Sequence, residues 1–150
     1  GAAGIDAAGE VVESGTTHAS ADVADLLGVD EGTPLWEVRT LSRAAGVAVS
    51  TSVHMLSIAR FPDFDVALRA ARASITAAFR AYGIEDYVRV STRLSARAAT
   101  RQEAQLLQLS RGVPVMQSMA VDGLDDGTPL QVVIGAFAGD RVEMVLEQNL

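Results

Sequence analysis

Three arginines recur at every fourth position in a stretch that otherwise reads as a β-strand. The segment RVSTRLSAR, residues 89–97, carries Arg89, Arg93 and Arg97. Because side chains alternate between faces along a strand, the pattern predicts one common face for these arginines and the serines between them, Ser91 and Ser95. Guanidinium groups offer paired donors that match phosphate or carboxylate oxygens. The stripe is therefore either a solvated face or half of a pocket for a small anion.

A second polar stripe occurs in the segment STSVH, residues 50–54, where Ser50, Ser52 and His54 alternate with Thr51 and Val53. If both stripes face one cavity, hydroxyls, an imidazole and guanidiniums converge on one ligand. In a pocket of lowered dielectric, we expect the loss of such an arginine to weaken binding by about 2–5 kcal/mol.

Ser74 precedes the segment ITAAFRAYG, whose apolar residues recur at helical spacing. The unpaired N–H groups at a helix start favour an anion, although a plain N-cap serine explains the same residue. We predict a ligand-binding set built from both stripes and this helix start, with Arg93 and Arg97 as the anion-holding residues. Its members are Ser50, Ser52, His54, Ser74, Arg93, Ser95 and Arg97.

The sequence offers no support for catalytic or metal chemistry. It contains no cysteine, so thiol nucleophiles and thiolate metal sites are excluded. The two histidines, His18 and His54, are far apart, and no His/Asp/Glu spacing matches a ligand pair. There is no G-x-S-x-G motif and no serine beside an obvious base. We expect no catalytic residue, no metal ligand and no cofactor.

Length and charge narrow the class of protein. A chain of 150 residues suits one domain, and a net charge of −7 argues against nucleic acid as a direct partner of this segment. No apolar run approaches about 20 residues, so no membrane partner is expected. The N-terminus lacks the basic-then-apolar pattern of a signal peptide, which predicts a cytoplasmic location.

The chain contains an internal duplication. DLLGVDEGTPLW (25–36) and QLLQLSRGVPVM (105–116) align without a gap at an offset of 80 residues. Each copy follows a predicted short helix and leads into a β-hairpin whose turn carries a glycine, Gly46 or Gly127. Ser20 and Gly28 are expected to cap the first helix, and Thr100-x-x-Glu is the capping-box spacing of the second.

We predict an α+β fold with an antiparallel sheet of about six strands, helices largely on one face, and pseudo-twofold symmetry from the duplication. Single strands are expected near residues 10–18 and 87–98, and hairpins at about 34–56 and 113–138. Between the first hairpin and the second single strand, one helix is expected, capped by Ser74 and ended by Gly83.

An ordered series of short motifs resembles the UTRA domain, the effector-binding half of HutC-type regulators in the GntR class of bacterial transcription regulators. The series includes LGVDEGTPLW, ARFPDF, SITAAF and DGTPLQ. Within that branch, STSVH, ARFPDF and STRLSAR look most like regulators of phosphonate metabolism. The resemblance implies a chorismate-lyase-like fold, a small anionic effector (a phosphonate or phosphate ester by preference) and a homodimer.

The same resemblance implies a domain organisation. Residues 1–9 are expected to be a linker or junction remnant and residues 10–150 an effector-binding domain. DNA would be contacted only through a winged-helix domain that is not in this chain. Two alternatives remain open: a lyase acting on a small carboxylate, and a dimerisation module without a ligand. For dimerisation, the apolar strand at 114–121 offers Val115, Met116 and Met119, which would be core residues in a monomer.

Overall fold

Six antiparallel strands form one sheet with the order β1-β2-β3-β6-β5-β4. The structure is a computed structural model and describes residues 9–148. The sheet confirms the predicted α+β class, and the two chain halves meet where β3 pairs with β6. The strands are β1 (Gly9–His18), β2 (Pro34–Ala44), β3 (Val47–Ser57), β4 (Val88–Ala98), β5 (Pro114–Gly123) and β6 (Pro129–Ala138).

Four short α-helices and one 3₁₀ turn connect the strands within the described residues. They are α1 (Ala21–Leu27), α2 (Phe64–Ala70), α3 (Ile75–Phe79), the 3₁₀ turn (Arg80–Tyr82) and α4 (Arg101–Leu107). None of the helices between residues 9 and 148 has the length and apolar character needed to cross a bilayer. The linker predicted over residues 1–9 lies outside the described residues except for Gly9, which begins β1.

The duplication predicted at an offset of 80 residues is visible in the helix caps. Ser20 accepts a hydrogen bond from the Val23 amide at the start of α1. At the start of α4, Thr100 and Glu103 form the complete capping box. The C-caps correspond as well: Gly28 after α1 and Gln108 after α4 both adopt the left-handed conformation. Each helix and the strand that follows it thus form one repeated unit.

The helices cover both faces of the sheet, which corrects the expectation that they lie largely on one. Helices α1 and α4 pack on the face that includes Leu35 and Leu41. We call this the α1/α4 face. Helices α2 and α3 pack on the opposite face, against Val38 and Leu56. We call this the α2/α3 face. Leu35, Val38 and Leu41 all lie in β2, where odd and even positions point to opposite sides.

Aromatic side chains form the core on the α2/α3 face. Phe61, Phe64 and Phe79 are almost fully buried, and their ring centroids lie 5.3–6.1 Å apart. Rings at these distances and tilts make favourable edge and offset contacts in addition to their apolar burial. Helix α2, which was not predicted, supplies Phe64 and Leu68 to this cluster. The helix predicted after Ser74 is present as α3 and the 3₁₀ turn, and it ends at Gly83 as expected.

Candidate functional site

A β-bulge at Val90 divides the arginine stripe between the two faces of the sheet. In the register of β4 with β5, Arg89 pairs with Asp122 and Ser91 pairs with Val121, so Val90 is an extra residue in β4. An extra residue shifts the alternation by one. Ser91, Arg93, Ser95 and Arg97 therefore lie on the α1/α4 face, whereas Arg89 lies on the α2/α3 face. The predicted common face for all three arginines is wrong for this reason.

Arg97 is held by a carboxylate of the protein itself. Its two terminal nitrogens donate to the two carboxylate oxygens of Glu103 at 2.7 and 2.8 Å, and its Nε donates to Gln117 Oε1 at 2.7 Å. The hydrogen bonds from Arg97, followed by the cap contacts with Thr100, hold the pKa of Glu103 below its usual value against the effect of burial. The same pair raises the pKa of Arg97. The paired guanidinium donors of Arg97, predicted to bind an anionic ligand, are thus already bound to Glu103, the acidic residue of the α4 capping box.

Arg93 and Ser95 are exposed on β4, the edge strand of the sheet. Arg93 pairs with Met119 and Ser95 with Gln117, so both side chains project from the α1/α4 face. They share this face with Arg97 but lie outside the core clusters.

Ser50, Ser52 and His54 lie on the opposite, α2/α3 face. They pair with Phe137, Gly135 and Val133 of β6 in the order of the strand. Ser50 and His54 are buried and Ser52 is half-buried. A Cβ added at Gly135 would lie 3.1 Å from both Ser52 Oγ and the Phe137 ring, so the glycine leaves room for the hydroxyl and the ring. This part of the sheet therefore combines hydroxyl groups with one aromatic side chain.

A continuous line of hydrogen bonds crosses five neighbouring strands on this face. His54 Nε2 lies 3.4 Å from Thr40 Oγ1, and His54 Nδ1 lies 3.2 Å from Gln131 Oε1. Gln131 Nε2 donates to Asp122 Oδ2 at 2.9 Å, and Arg89 Nε donates to Asp122 Oδ1 at 2.6 Å. We call these five residues, from β2, β3, β6, β5 and β4, the cross-sheet chain. All of them are buried except Arg89, which is one-quarter exposed.

The predicted ligand-binding residues consequently do not surround one cavity. The sheet separates Ser50, Ser52 and His54 from Arg93, Ser95 and Arg97. Ser74 belongs to neither group, because it caps α3: its hydroxyl accepts a hydrogen bond from the Ala77 amide at 3.2 Å.

Sequence reasoning missed two sets of contacts. Asp122 gave no motif signal, and Gln131 appeared only as the last residue of DGTPLQ; the register of β3, β5 and β6 is what connects both residues to His54. The second set belongs to Arg141, whose Nε lies 3.4 Å from the carboxylate of its neighbour Asp140. Its guanidinium also donates to the backbone carbonyls of Leu107, Gln108 and Ala48. Arg141 therefore fixes the end of α4 to β3.

The fold and its duplication define the class of protein. A six-stranded antiparallel sheet with four short helices is the architecture of the chorismate-lyase-like C-terminal domains of GntR-type transcription regulators. The family model for the UTRA domain matches residues 2–143, nearly the whole chain. The chain belongs to the UTRA domain family, as the motif series predicted.

Individual relatives agree with this assignment. Over 138 residues the chain is 39% identical to an HTH-type transcriptional regulator of Rhizobium meliloti, with 92% of this chain and 56% of that protein covered. The chain thus spans about half the length of this curated relative. The C-terminal domain of PhnF is 27% identical with a TM-score of 0.77, covering 96% of this chain and 92% of that one.

A further solved structure shows the same fold at lower identity. The ligand-binding domain of a GntR-family regulator from Bordetella bronchiseptica is 22% identical with a TM-score of 0.80. The superposition covers 94% of this chain and 91% of that domain.

Proposed function

We propose that this domain senses a small anionic metabolite and thereby controls DNA binding by a winged-helix domain of the same cytoplasmic regulator. The binding surface is the α2/α3 face around Ser52 and His54. The observation that carries the proposal is the register of β3, which puts Ser50, Ser52 and His54 on one face together with Thr40 of β2. Hydroxyl groups can donate hydrogen bonds to the oxygens of an anion, and an imidazole can donate or accept according to its protonation, so such groups can orient a ligand in a partly desolvated site.

A phosphonate or a phosphate ester is the preferred ligand class. Two observations support it: the motifs STSVH, ARFPDF and STRLSAR resemble regulators of phosphonate metabolism, and the PhnF C-terminal domain has the same fold. Arg89 also lies on this face, but its Nε is paired with the Asp122 carboxylate at 2.6 Å, so the proposed ligand contacts come from the hydroxyl and imidazole groups. Arg97 is already paired with Glu103. Arg93 and Ser95 lie on the opposite, α1/α4 face, where substitutions serve as controls for the proposed binding surface.

Thermal unfolding of the domain against a ligand panel tests the proposal. The panel contains phosphonates, phosphate esters, carboxylates and neutral compounds of matched size. A ligand at about 100 times its dissociation constant stabilises the fold by about 2.7 kcal/mol, which raises the unfolding midpoint. We expect a rise with phosphonates or phosphate esters and none with the neutral compounds. Formation of product in the same samples would favour the lyase alternative instead.

We further propose that two copies associate through β4. All residues of β4 other than Arg89 and Arg97 are exposed, including Val88, Val90 and Leu94. An edge strand exposed on both faces is a template for antiparallel pairing, and pairing β4 with β4 of a second copy gives the closed twofold arrangement typical of homodimers. The interface predicted at 114–121 is less suitable because Val115 is fully buried beneath α4.

Sedimentation equilibrium of two charge variants tests the β4 interface. Leu94→Asp puts a carboxylate in the middle of β4, and Val12→Asp puts one on the opposite edge strand at a residue of similar exposure, 41% against 46%. We expect Leu94→Asp to give monomers and Val12→Asp to remain dimeric. Dimers of both variants, or monomers of the parent protein, would contradict an interface at β4.

A further inference from the structure

The side chains of Asp122 and Gln131 constrain the imidazole of His54. Asp122 is 1% exposed, and its two carboxylate oxygens accept hydrogen bonds from Arg89 Nε and Gln131 Nε2. A carboxylate that pairs with a guanidinium has only acceptors to offer, so the NH₂ group of Gln131 must face Asp122. The amide oxygen of Gln131 then faces His54.

The orientation of Gln131 decides which nitrogen of His54 carries a proton. The amide oxygen is an acceptor, and it lies 3.2 Å from His54 Nδ1. A hydrogen bond at this position requires a proton on Nδ1. In the neutral ring the lone pair is then on Nε2, the nitrogen 3.4 Å from Thr40 Oγ1.

We propose that Arg89, Asp122 and Gln131 are positioning residues that hold neutral His54 in its Nδ1–H form. Arg89 reaches Asp122 only because Val90 is an extra residue in β4. The edge strand therefore controls, through three hydrogen bonds, the tautomer of a histidine in the middle of the sheet.

The consequence for recognition rests on the proposed function, whereas the tautomer itself does not. On its Thr40 side, neutral His54 presents an acceptor. The Thr40 hydroxyl can donate to this acceptor and then has only its oxygen to offer, so a ligand group that reaches Thr40 Oγ1 must donate a hydrogen bond, as a singly protonated phosphonate or a hydroxyl does. A fully ionised oxyanion requires a protonated ring at this position. Among anions of one size, the site therefore favours those that carry a hydroxyl or an acidic proton.

Nitrogen NMR of the His54 ring tests the inference without a ligand. His18→Gln leaves His54 as the single histidine of the chain. Long-range proton–nitrogen spectra at a pH where the ring is neutral are expected to show a protonated Nδ1 and an unprotonated Nε2. The Nδ1–H form should exceed the other tautomer by about tenfold, the ratio that corresponds to one well-made hydrogen bond. A ring protonated mainly on Nε2 would overturn the proposal.

Variants made in the His18→Gln background distinguish a positioning role at His54 from an effect on the overall stability of the domain. Asp122→Asn frees Gln131 to turn its amide, so the tautomer ratio should fall towards one. Arg97→Gln removes a comparably buried ion pair on the opposite face and should leave the ratio unchanged although the protein is less stable. A folded Asp122→Asn protein with the parental ratio would overturn the proposal.

A milder change covers the case in which Asp122→Asn does not fold. Arg89→Gln acts at a residue one-quarter exposed on the edge strand and removes only the guanidinium. Asp122 then lacks the guanidinium that fixes its carboxylate oxygens, so its hold on the Gln131 amide weakens and the tautomer ratio should again fall. An unchanged ratio in this variant would equally contradict the positioning role. The spectrum of the parent ring decides the tautomer if neither variant folds.

Discussion

Arg89 and Arg93 project from opposite faces of the sheet although both belong to β4, because Val90 is an extra residue between them. Arg89 forms a 2.6 Å ion pair with the buried Asp122, and Arg93 is exposed on the other side. Because of this one inserted residue, Arg89 pairs with the buried Asp122 on one face while Arg93 remains a surface charge on the other. The two residues are expected to differ in their effect on stability and in their distance from the proposed ligand.

Replacing the two arginines separately should show this difference. Arg89→Ala leaves the carboxylate of Asp122 buried without its guanidinium and should lower the free energy of unfolding by about 2–3 kcal/mol. Arg93→Ala removes a side chain that is exposed in the single chain, and at protein concentrations where β4 is unpaired it should change the free energy of unfolding by no more than about 0.5 kcal/mol. Urea denaturation of both variants measures the two values. Equal losses would contradict the assignment of Arg89 to a stabilising ion pair with Asp122 and of Arg93 to the surface.

The ion pair between Arg97 and Glu103 should make stability depend on pH in the acid range. Folding lowers the pKa of Glu103, so its contribution is complete above the unfolded-state value of about 4.3 and is lost as the pH falls through the folded-state pKa. Glu103→Gln should therefore be less stable than the parent at pH 7 by about 2 kcal/mol. The difference should shrink as the pH falls below about 4.

Urea denaturation of the parent and Glu103→Gln between pH 7 and pH 3 measures this convergence. Glutamine still suits the capping box at this position, so the comparison isolates the charge from the cap. Two stability curves that stay parallel over the whole range would show that the Glu103 carboxylate contributes nothing through its ionisation.

The C-caps of the duplicated helices offer a reciprocal test. Gly28 and Gln108 have positive φ angles of 69° and 51° at equivalent positions after α1 and α4. A left-handed conformation strains a residue with a Cβ but not glycine. Gln108→Gly should therefore stabilise the domain and Gly28→Gln should destabilise it, each by about 1 kcal/mol. Thermal unfolding of both variants measures the shifts, and a loss of stability in Gln108→Gly would contradict this interpretation of the caps.

Local signals in the sequence predicted the repeated units well. The duplication at an offset of 80 residues predicted helices α1 and α4. The caps Ser20 and Gly28 and the Thr100–Glu103 capping box could be predicted because each makes its hydrogen bonds within about one turn of the chain. The missed helix α2 has weaker signals. Its N-cap, Asp63, makes no side-chain cap hydrogen bond and has a positive φ of 59°. Burial of Phe64 and Leu68, a tertiary effect, stabilises this helix instead.

The candidate site was less predictable because it depends on register. Nothing in the sequence RVSTRLSAR indicates a bulge. Only the pairing of β4 with β5 shows that Val90 is an inserted residue without a partner in β5. The partners of Arg97 and His54 come from other elements: Glu103 from α4 and Gln131 from β6. Such long-range contacts determine which polar side chains already have partners within the protein and on which face of the sheet a ligand can bind.

The most direct test of the proposed sensing face compares two serines on opposite sides of the sheet. Ser52 lies on the α2/α3 face beside Gly135, and Ser95 lies on the α1/α4 face opposite Gln117. Calorimetric titration would use the phosphonate or phosphate ester that most raises the unfolding midpoint of the parent protein. Ser52→Ala should weaken its binding about 10- to 150-fold through the loss of one hydrogen bond to a charged group, and Ser95→Ala should bind as the parent does. Weaker binding by Ser95→Ala with unchanged binding by Ser52→Ala would place the ligand on the other face and contradict the account.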